Sequence, residues 1–123
     1  MNKKSILVVD DDSFNLQIIA DILMKTELYS VMSATGGKMA CELAQKFLPN
    51  LILMDWKMPG FSGYEAVQQL KTNDNTKKIP VIIITGVTDQ EEISKAMNIG
   101  IAAYVTKPIA EKELLAKINT VWQ

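Results

Sequence analysis

The stretch NLILMDWKMPG (Asn50–Gly60) joins a short apolar run to an acidic residue and a Pro-Gly turn. The run, Leu51–Met54, has the length and composition of one strand that is buried on both faces. Asp55 follows it directly, although apolar runs usually end in neutral turn residues. This carboxylate has two interpretations, a turn residue or a group with a chemical role, and the rest of the sequence bears on the choice.

Four further apolar runs and five stretches of helical periodicity alternate along the chain. The other apolar runs are Ser5–Val9, Tyr29–Ala34, Val81–Ile84 and Ala103–Val105. The helical stretches are Phe14–Lys25, Lys38–Phe47, a third that opens at Ser62, a fourth that opens at Thr88 and ends at Gly100, and a fifth that starts near Ala110. Ser62 and Thr88 each precede a glutamate by three residues, which is the spacing of a capping box. Strict alternation of strand and helix predicts an α/β fold whose parallel sheet is covered by helices on both faces.

The composition is that of one globular domain and excludes several kinds of function. The chain has 123 residues, of which 48% are hydrophobic and 22% charged, with a formal net charge of -1 and no arginine. We therefore expect no direct binding of nucleic acid and no binding to an anionic membrane. The sequence has no signal-peptide pattern and no apolar run of membrane-spanning length, and its single cysteine, Cys41, fits a core position in the reducing cytoplasm.

Polar and charged side chains follow four of the five apolar runs. Asp10-Asp11-Asp12 follow the first run, Asp55 the third, Thr85-Gly86 the fourth and Lys107-Pro108 the fifth. In an open parallel sheet, the carboxyl ends of all strands lie at one edge, where ligands bind. The sequence therefore predicts that three carboxylates, a hydroxyl and an ammonium converge at this edge.

A carboxylate cluster of this kind favours a bound divalent cation. Two unit charges at about 4 Å repel by roughly 4 kcal/mol at an effective dielectric near 20, and a cation held by Asp11 and Asp55 offsets this better than one lysine. Because histidine is absent, any metal has oxygen ligands, which indicates Mg²⁺ or Ca²⁺. Mg²⁺ suits a site with few carboxylates and an incoming phosphate, and a carboxylate beside it can attack phosphorus to give an aspartyl phosphate.

Each of these features also has an ordinary structural interpretation. The acids before the first helix are typical of capping at its positive end, Asp55 is acceptable as a turn residue, and Lys107-Pro108 is a common turn pair. The joint pattern favours the chemical interpretation, because four placements at one sheet edge in a consistent order are hard to reach by chance.

These residues and their order resemble the receiver domain of two-component response regulators, and chemotaxis regulators in particular. The resemblance rests on four segments that span most of the chain: ILVVDDD (Ile6–Asp12), LILMDWKMPG (Leu51–Gly60), PVIIITG (Pro80–Gly86) and YVTKP (Tyr104–Pro108). It implies a flavodoxin-like fold, a single doubly wound sheet of five parallel strands in the order 2-1-3-4-5 with five helices. Residues 1–123 are then expected to form one receiver (response regulatory) domain.

The resemblance also implies roles for the residues at the sheet edge. Asp55 is the expected phosphoacceptor. Asp11 is expected to bind Mg²⁺ directly, Asp10 largely through water, and the backbone carbonyl of Lys57 to complete the protein ligands. The third acid, Asp12, is expected to cap the first helix.

Three residues on the last two strands are expected to serve phosphorylation and switching. Thr85 and Lys107 are expected to contact the phosphoryl oxygens, with a cis bond between Lys107 and Pro108. Tyr104 is expected to act with Thr85 as an aromatic switch, although without the resemblance it is an ordinary edge-strand aromatic.

The function implied is that of a phosphorelay signalling module in the cytoplasm. It takes a phosphoryl group from a histidine kinase or a histidine phosphotransfer protein in a Mg²⁺-dependent reaction and changes its surface toward a downstream protein target. It is expected to be a signalling domain and not an enzyme, catalysing only its own phosphorylation and dephosphorylation. The alternatives are a nucleotide or flavin-phosphate binder, whose first loop would need glycines or hydroxyls in place of Asp10-Asp11-Asp12, and a pseudo-receiver scaffold, against which the complete acid, threonine and lysine set argues.

The two tryptophans are expected to have different environments. Trp56 follows the expected phosphoacceptor, and we expect its ring to lie partly exposed over the site, with packing alone as the alternative explanation. Trp122 is expected to pack the last helix or to mark a junction with a further segment.

Overall fold

The computed structural model describes residues 3–86 and 90–122, in which five strands alternate with five helices. In chain order the elements are β1 (Lys4–Val9), α1 (Ser13–Lys25), β2 (Tyr29–Ala34), α2 (Gly37–Phe47), β3 (Leu51–Asp55), α3 (Gly63–Thr72), β4 (Val81–Thr85), α4 (Gln90–Asn98), β5 (Ala103–Thr106) and α5 (Glu111–Val121). Every apolar run became a strand, and the strands β3, β4 and β5 each extend one residue beyond the run that predicted them.

The strands form one parallel sheet in the order β2-β1-β3-β4-β5, as the resemblance implied. The strand order reverses between β1 and β3. From β1 the chain continues to β2 at one edge of the sheet, and from β3 it continues to β4 and then to β5 at the opposite edge. Val9, the last residue of β1, is paired with Met54, the residue before Asp55 at the end of β3, so the carboxyl ends of β1 and β3 lie next to each other. This is the point of a doubly wound sheet at which ligands bind.

The sheet separates two apolar cores, and its central strands are buried on both faces. All residues of β3 and β4 are buried. Along β3, Ile52 and Met54 face the core beneath α2, α3 and α4, while Leu51 and Leu53 face the core beneath α1 and α5. This two-sided burial explains why these strands read as continuous apolar runs and not as alternating ones.

The helix ends follow the predicted capping residues where the structure describes them. Ser62 and Glu65 form the expected capping box, with the Ser62 Oγ accepting from the Glu65 N–H at 3.2 Å and Glu65 Oε1 accepting from the Ser62 N–H at 3.0 Å. Gly100 ends the α4 region with a φ of 94°, a conformation that favours glycine. The predicted opening of α4 at Thr88 lies outside the described residues.

The ends of the described chain and its cysteine pack into the fold. Cys41 is buried in the core on the α2 side of the sheet.

Trp122 packs against Tyr29 with ring centroids 5.6 Å apart, and the Lys4 ammonium lies 4.9 Å from the Trp122 ring centroid. Trp122 therefore holds the end of α5 against the first residues of β1 and β2. In residues 3–86 and 90–122, no helix has both the length and the apolar character needed to cross a membrane.

Gly63 lies where helix α3 begins against the end of the central strand β3. It begins α3, and its N–H donates to the Trp56 carbonyl at 2.9 Å. A Cβ at this position would collide with the Asp55 carbonyl oxygen and would lie 2.8 Å from the Trp56 Cα. The absence of a side chain therefore lets α3 start directly against the end of β3.

We predict that Gly63→Ala destabilises the protein by about 1–3 kcal/mol, because rigid backbone atoms must move to admit the methyl group. Urea unfolding followed by circular dichroism measures this change. Gly86→Ala is the matched control, since a Cβ there meets no atom within 4 Å. Equal midpoints for the two variants would show that the contact at Gly63 is not a constraint.

Candidate functional site

The predicted residues lie together at the carboxyl edge of the sheet, where backbone hydrogen bonds anchor them. The Asp10 N–H donates to the Ala34 carbonyl at 3.1 Å, and the Lys107 N–H donates to the Thr85 carbonyl at 2.9 Å. The Trp56 N–H, directly after Asp55, donates to the Ile84 carbonyl at 3.0 Å. Each site residue or its neighbour is thus fixed to the adjacent strand, so the sheet sets the positions of the side chains.

Asp10, Asp11 and Asp55 form a compact carboxylate cluster. One oxygen atom from each residue lies within 4.8 Å of the others. Asp10 and Asp55 are buried, at 1% and 3% exposure, whereas Asp11 is exposed. The cluster is therefore closed toward the protein and open on the side of Asp11.

The two oxygen atoms of Asp10 have different surroundings. Its Oδ1 accepts a hydrogen bond from the Asp12 N–H at 2.9 Å. Its Oδ2 is buried and has no hydrogen-bond partner among the described residues, with the Lys107 ammonium 3.7 Å away. A buried carboxylate oxygen normally has a hydrogen-bond partner. The other possible metal ligands near this oxygen are the carboxylate oxygens of Asp11 and Asp55. The donor set therefore fits a hard cation such as Mg²⁺.

Lys107 supplies the positive charge at the cluster. Its Nζ lies 3.2 Å from Asp55 Oδ1, where it donates a hydrogen bond, and 3.7 Å from Asp10 Oδ2. Its bond to Pro108 is cis, as expected. One ammonium thus faces three carboxylates, so negative charge exceeds positive charge among these side chains.

The pKa of Asp55 reflects its burial first and the neighbouring negative charge second. Burial and the neighbouring Asp10 charge raise the pKa of Asp55 to about 6, against the opposing effect of the Lys107 charge and hydrogen bond. For Lys107, burial acts to lower the pKa, but the Asp55 charge and hydrogen bond, with the charges of Asp10 and Asp11, raise it overall. The negative charge of the cluster therefore outweighs its one ammonium.

The remaining predicted residues lie around this cluster. Thr85 ends β4 and is buried, and it shares a small cavity with the half-buried ring of Tyr104 on β5. The Lys57 side chain is exposed, two residues after Asp55. Asp12 caps α1 as expected, since its side chain accepts a hydrogen bond from the Phe14 N–H at 2.9 Å.

The expectation that Trp56 is partly exposed is wrong. The residue is only 5% exposed. Its ring packs edge-on against Tyr64 of α3, with centroids 5.5 Å apart, and its Nε1–H donates to Glu92 Oε2 of α4 at 3.4 Å. The ring therefore turns from the acids into the space between α3 and α4. Sequence reasoning missed Glu92, because one of two adjacent glutamates in a first helical turn gives no signal of a tertiary contact.

Comparisons with known proteins agree on one family. The family model described as the response regulator receiver domain matches residues 6–119. A probable cyclic di-GMP phosphodiesterase of Vibrio cholerae is 33% identical over 120 residues, covering 98% of this chain. The polar-differentiation response regulator DivK of Brucella anthropi is 32% identical over 117 residues, covering 95% of this chain. The crystallised chemotaxis protein CheY4 of Vibrio cholerae has a TM-score of 0.92 at 27% identity, covering 98% of this chain and 99% of the other.

These relatives differ in length. This chain spans 94% of the DivK regulator but only 27% of the probable phosphodiesterase. It spans 51% of the phosphate regulon regulator PhoB of Pseudomonas aeruginosa. The similarity therefore covers nearly the whole of DivK and of the CheY4 chain, but only one part of the probable phosphodiesterase and of PhoB.

We predict that Asp55→Asn stabilises the metal-free protein at pH 8 and that the effect disappears near pH 4. With its pKa raised to about 6, folded Asp55 keeps a proton that the unfolded chain has already released, so wild-type stability falls as pH rises from about 4 through 6. The expected gain at pH 8 is on the order of 1–3 kcal/mol. Urea unfolding in chelator at both pH values measures it.

Asp74→Asn serves as the control for this prediction, because the Asp74 side chain is 91% exposed in a surface pair with Lys77. A stability difference between wild type and Asp55→Asn that stays constant from pH 4 to pH 8 would contradict the argument.

Proposed function

The chain belongs to the response regulator receiver domains, and from this membership and its acidic cluster we propose that it accepts a phosphoryl group on Asp55. The observation that carries the proposal is the close approach of the Asp10, Asp11 and Asp55 carboxylates with the Lys107 ammonium 3.2 Å from Asp55. We propose that residues 1–123 act as one receiver domain.

The proposed reaction is transfer from a phosphohistidine of a partner protein. An oxygen of the Asp55 carboxylate attacks phosphorus, the P–N bond to the donor breaks, and the imidazole leaves with the electron pair and takes up a proton. The product is an aspartyl phosphate. Because this chain has no histidine, it is the acceptor and not the histidine donor. Its own catalysis is limited to its phosphorylation and dephosphorylation.

Asp10, Asp11, Asp55 and the carbonyl of Lys57 are the proposed ligands of Mg²⁺. Two observations support this assignment: Asp10 Oδ2 is buried in the cluster without a hydrogen-bond partner among the described residues, and Asp11 lies exposed on the open side of the cluster. When bound, Mg²⁺ neutralises the excess of negative charge and stabilises charge on the transferring group. Asp55 can then approach a phosphoryl group that the bare cluster would repel.

Lys107 and Thr85 are the proposed contacts of the phosphoryl oxygens. Lys107 is already within hydrogen-bond distance of Asp55, so its ammonium lies where charge develops during transfer. Thr85 ends the strand next to β3, and its hydroxyl is the proposed link to the rest of the domain.

Tyr104 is the residue that we propose responds to the movement of Thr85. Drawing the Thr85 hydroxyl toward the phosphoryl group vacates space behind it, and the Tyr104 ring turns inward to fill that space. The cavity that Thr85 and Tyr104 share supports this coupling. The change alters the surface of α4, β5 and α5, which we propose is read by a downstream protein.

The proposed partners are a histidine kinase or a histidine phosphotransfer protein upstream and a protein target downstream. The formal net charge of -1 and the absence of arginine argue against direct binding of nucleic acid by this domain. The proposed location is the cytoplasm, without attachment to a membrane.

Acetyl phosphate with Mg²⁺ is predicted to add one phosphoryl group to the wild-type chain, detected as a single mass increase that is lost at alkaline pH. Asp55→Asn is predicted to abolish the addition and chelation to prevent it. Asp74→Asn, which changes an acid far from the cluster in sequence and on the surface, is predicted to label as wild type does. Labelling of the Asp55→Asn variant at the wild-type level would refute the assignment of the acceptor.

Thr85→Ala is predicted to bind beryllofluoride, an acyl-phosphate mimic, but to lose the response at Tyr104. A differential contact of about 2–3 kcal/mol changes a two-state population by roughly 30- to 150-fold, and one hydrogen bond to a charged group lies in that range. NMR shifts around Tyr104 measure the response. The same shifts in wild type and variant would show that the signal does not pass through this pair.

A further inference from the structure

Trp56 joins the strand that bears Asp55 to helix α4. Its backbone is fixed on both sides, because its N–H donates to the Ile84 carbonyl at 3.0 Å and its carbonyl accepts from the Gly63 N–H at 2.9 Å. Its side chain is buried, and the Nε1–H, its one polar group, donates to Glu92 Oε2 at 3.4 Å. Trp56, which follows the proposed phosphoacceptor Asp55, is thus fixed to the sheet through its backbone and hydrogen-bonded to helix α4 through its side chain.

Trp56 and Glu92 also line the small cavity next to Thr85. Trp56, Thr85 and Tyr104 line it from the sheet side, and Glu92 and Ala96 line it from α4. Its volume is about 10 Å³, the space of a single water molecule. A phenol ring does not fit into the space of one water molecule, and movement of the Thr85 hydroxyl frees only part of the room that the ring needs. Because α4 is less deeply packed than the strands, we expect an inward turn of Tyr104 to move α4 away from Trp56.

We propose that the Trp56–Glu92 hydrogen bond is a latch that holds α4 in its unphosphorylated position and opens when Asp55 is phosphorylated. The inference rests on the proposed function, and it makes Glu92 a positioning residue of the switch. The bond connects the two walls that must separate, so it favours the state in which the cavity is closed. A contact present in only one of two states shifts the population toward that state.

The sign and size of the effect follow from linkage. Removing the latch favours the open state, so a ligand that selects this state must bind more tightly by the same factor. At 3.4 Å the bond is long, so we expect a factor of about three to ten, the range of an ordinary net hydrogen bond. A buried donor without a partner is costly, so the opened latch must also admit water to the indole N–H.

The first test follows the two indole N–H groups of the protein by ¹H–¹⁵N NMR. On addition of Mg²⁺ and beryllofluoride, the Trp56 resonance is expected to shift and its exchange with D₂O to become at least about threefold faster. Trp122 is the internal control, because it packs on Tyr29 and Lys4 at the start of the strands. Beryllofluoride binding with unchanged Trp56 exchange would overturn the latch and leave the proposed function intact.

The second test compares two substitutions at Glu92. Glu92→Met keeps the length of the side chain but has no acceptor, and it is expected to bind beryllofluoride about three- to tenfold more tightly. Glu92→Gln removes the same negative charge but keeps an acceptor oxygen, and it is expected to stay close to wild type. Glu113→Gln on α5, which changes an exposed acid, controls for net charge.

Each other outcome decides against the latch. Equal tightening by Met and Gln would assign the effect to charge, and an affinity of a folded Glu92→Met equal to or below that of wild type would exclude a closed-state contact. Circular dichroism and thermal melting establish that the variants are folded. A wild-type chain that binds no beryllofluoride in Mg²⁺ would refute the proposed function, and the latch with it.

Discussion

The mutual repulsion of Asp10, Asp11 and Asp55 is the constraint on which the rest of the site depends. Like charges at about 4 Å cost roughly 4 kcal/mol at an effective dielectric near 20, and Lys107 offsets only part of this. The acids stay together because the parallel sheet holds them there. β1 and β3 end side by side, and backbone hydrogen bonds to neighbouring strands fix both ends. The folding free energy of the two apolar cores thus offsets the electrostatic repulsion among the acids at the sheet edge.

The burial of the central strands gives this site one rigid side and one adjustable side. β3 and β4 are buried along their whole length, so the Asp55 and Thr85 positions are set by dense packing on both faces. Helix α4 is less deeply packed, with Ala96 its one buried residue among Gln90–Asn98. A change in charge at the sheet edge therefore meets less resistance from α4 than from the strands.

Much of the fold and the composition of the acidic cluster could be predicted from the sequence. Apolar runs locate the strands of a parallel sheet, and the residue after each run must then lie at one edge, which brings Asp10, Asp55 and Lys107 together. Side-chain direction could not be predicted in this way. Trp56 points between α3 and α4 because Tyr64 and Glu92 provide a surface and an acceptor there, and neither contact has a signature in the sequence.

The charge excess that makes the site unfavourable also makes a response to phosphorylation energetically accessible. In the proposed reaction, a bound Mg²⁺ and a phosphoryl group would replace repulsion among the carboxylates by attraction to Mg²⁺ and Lys107, so the modified state would gain stability at the point where the free state is least stable. Only a small part of that gain has to reach α4, because about 2–3 kcal/mol suffices to change a two-state population by roughly 30- to 150-fold. On the proposed switch, a contact that favours the closed state, such as the one between Trp56 and Glu92, must be weaker than this gain, since a stronger one would keep the domain closed after modification of Asp55. The long distance of that hydrogen bond is consistent with this requirement.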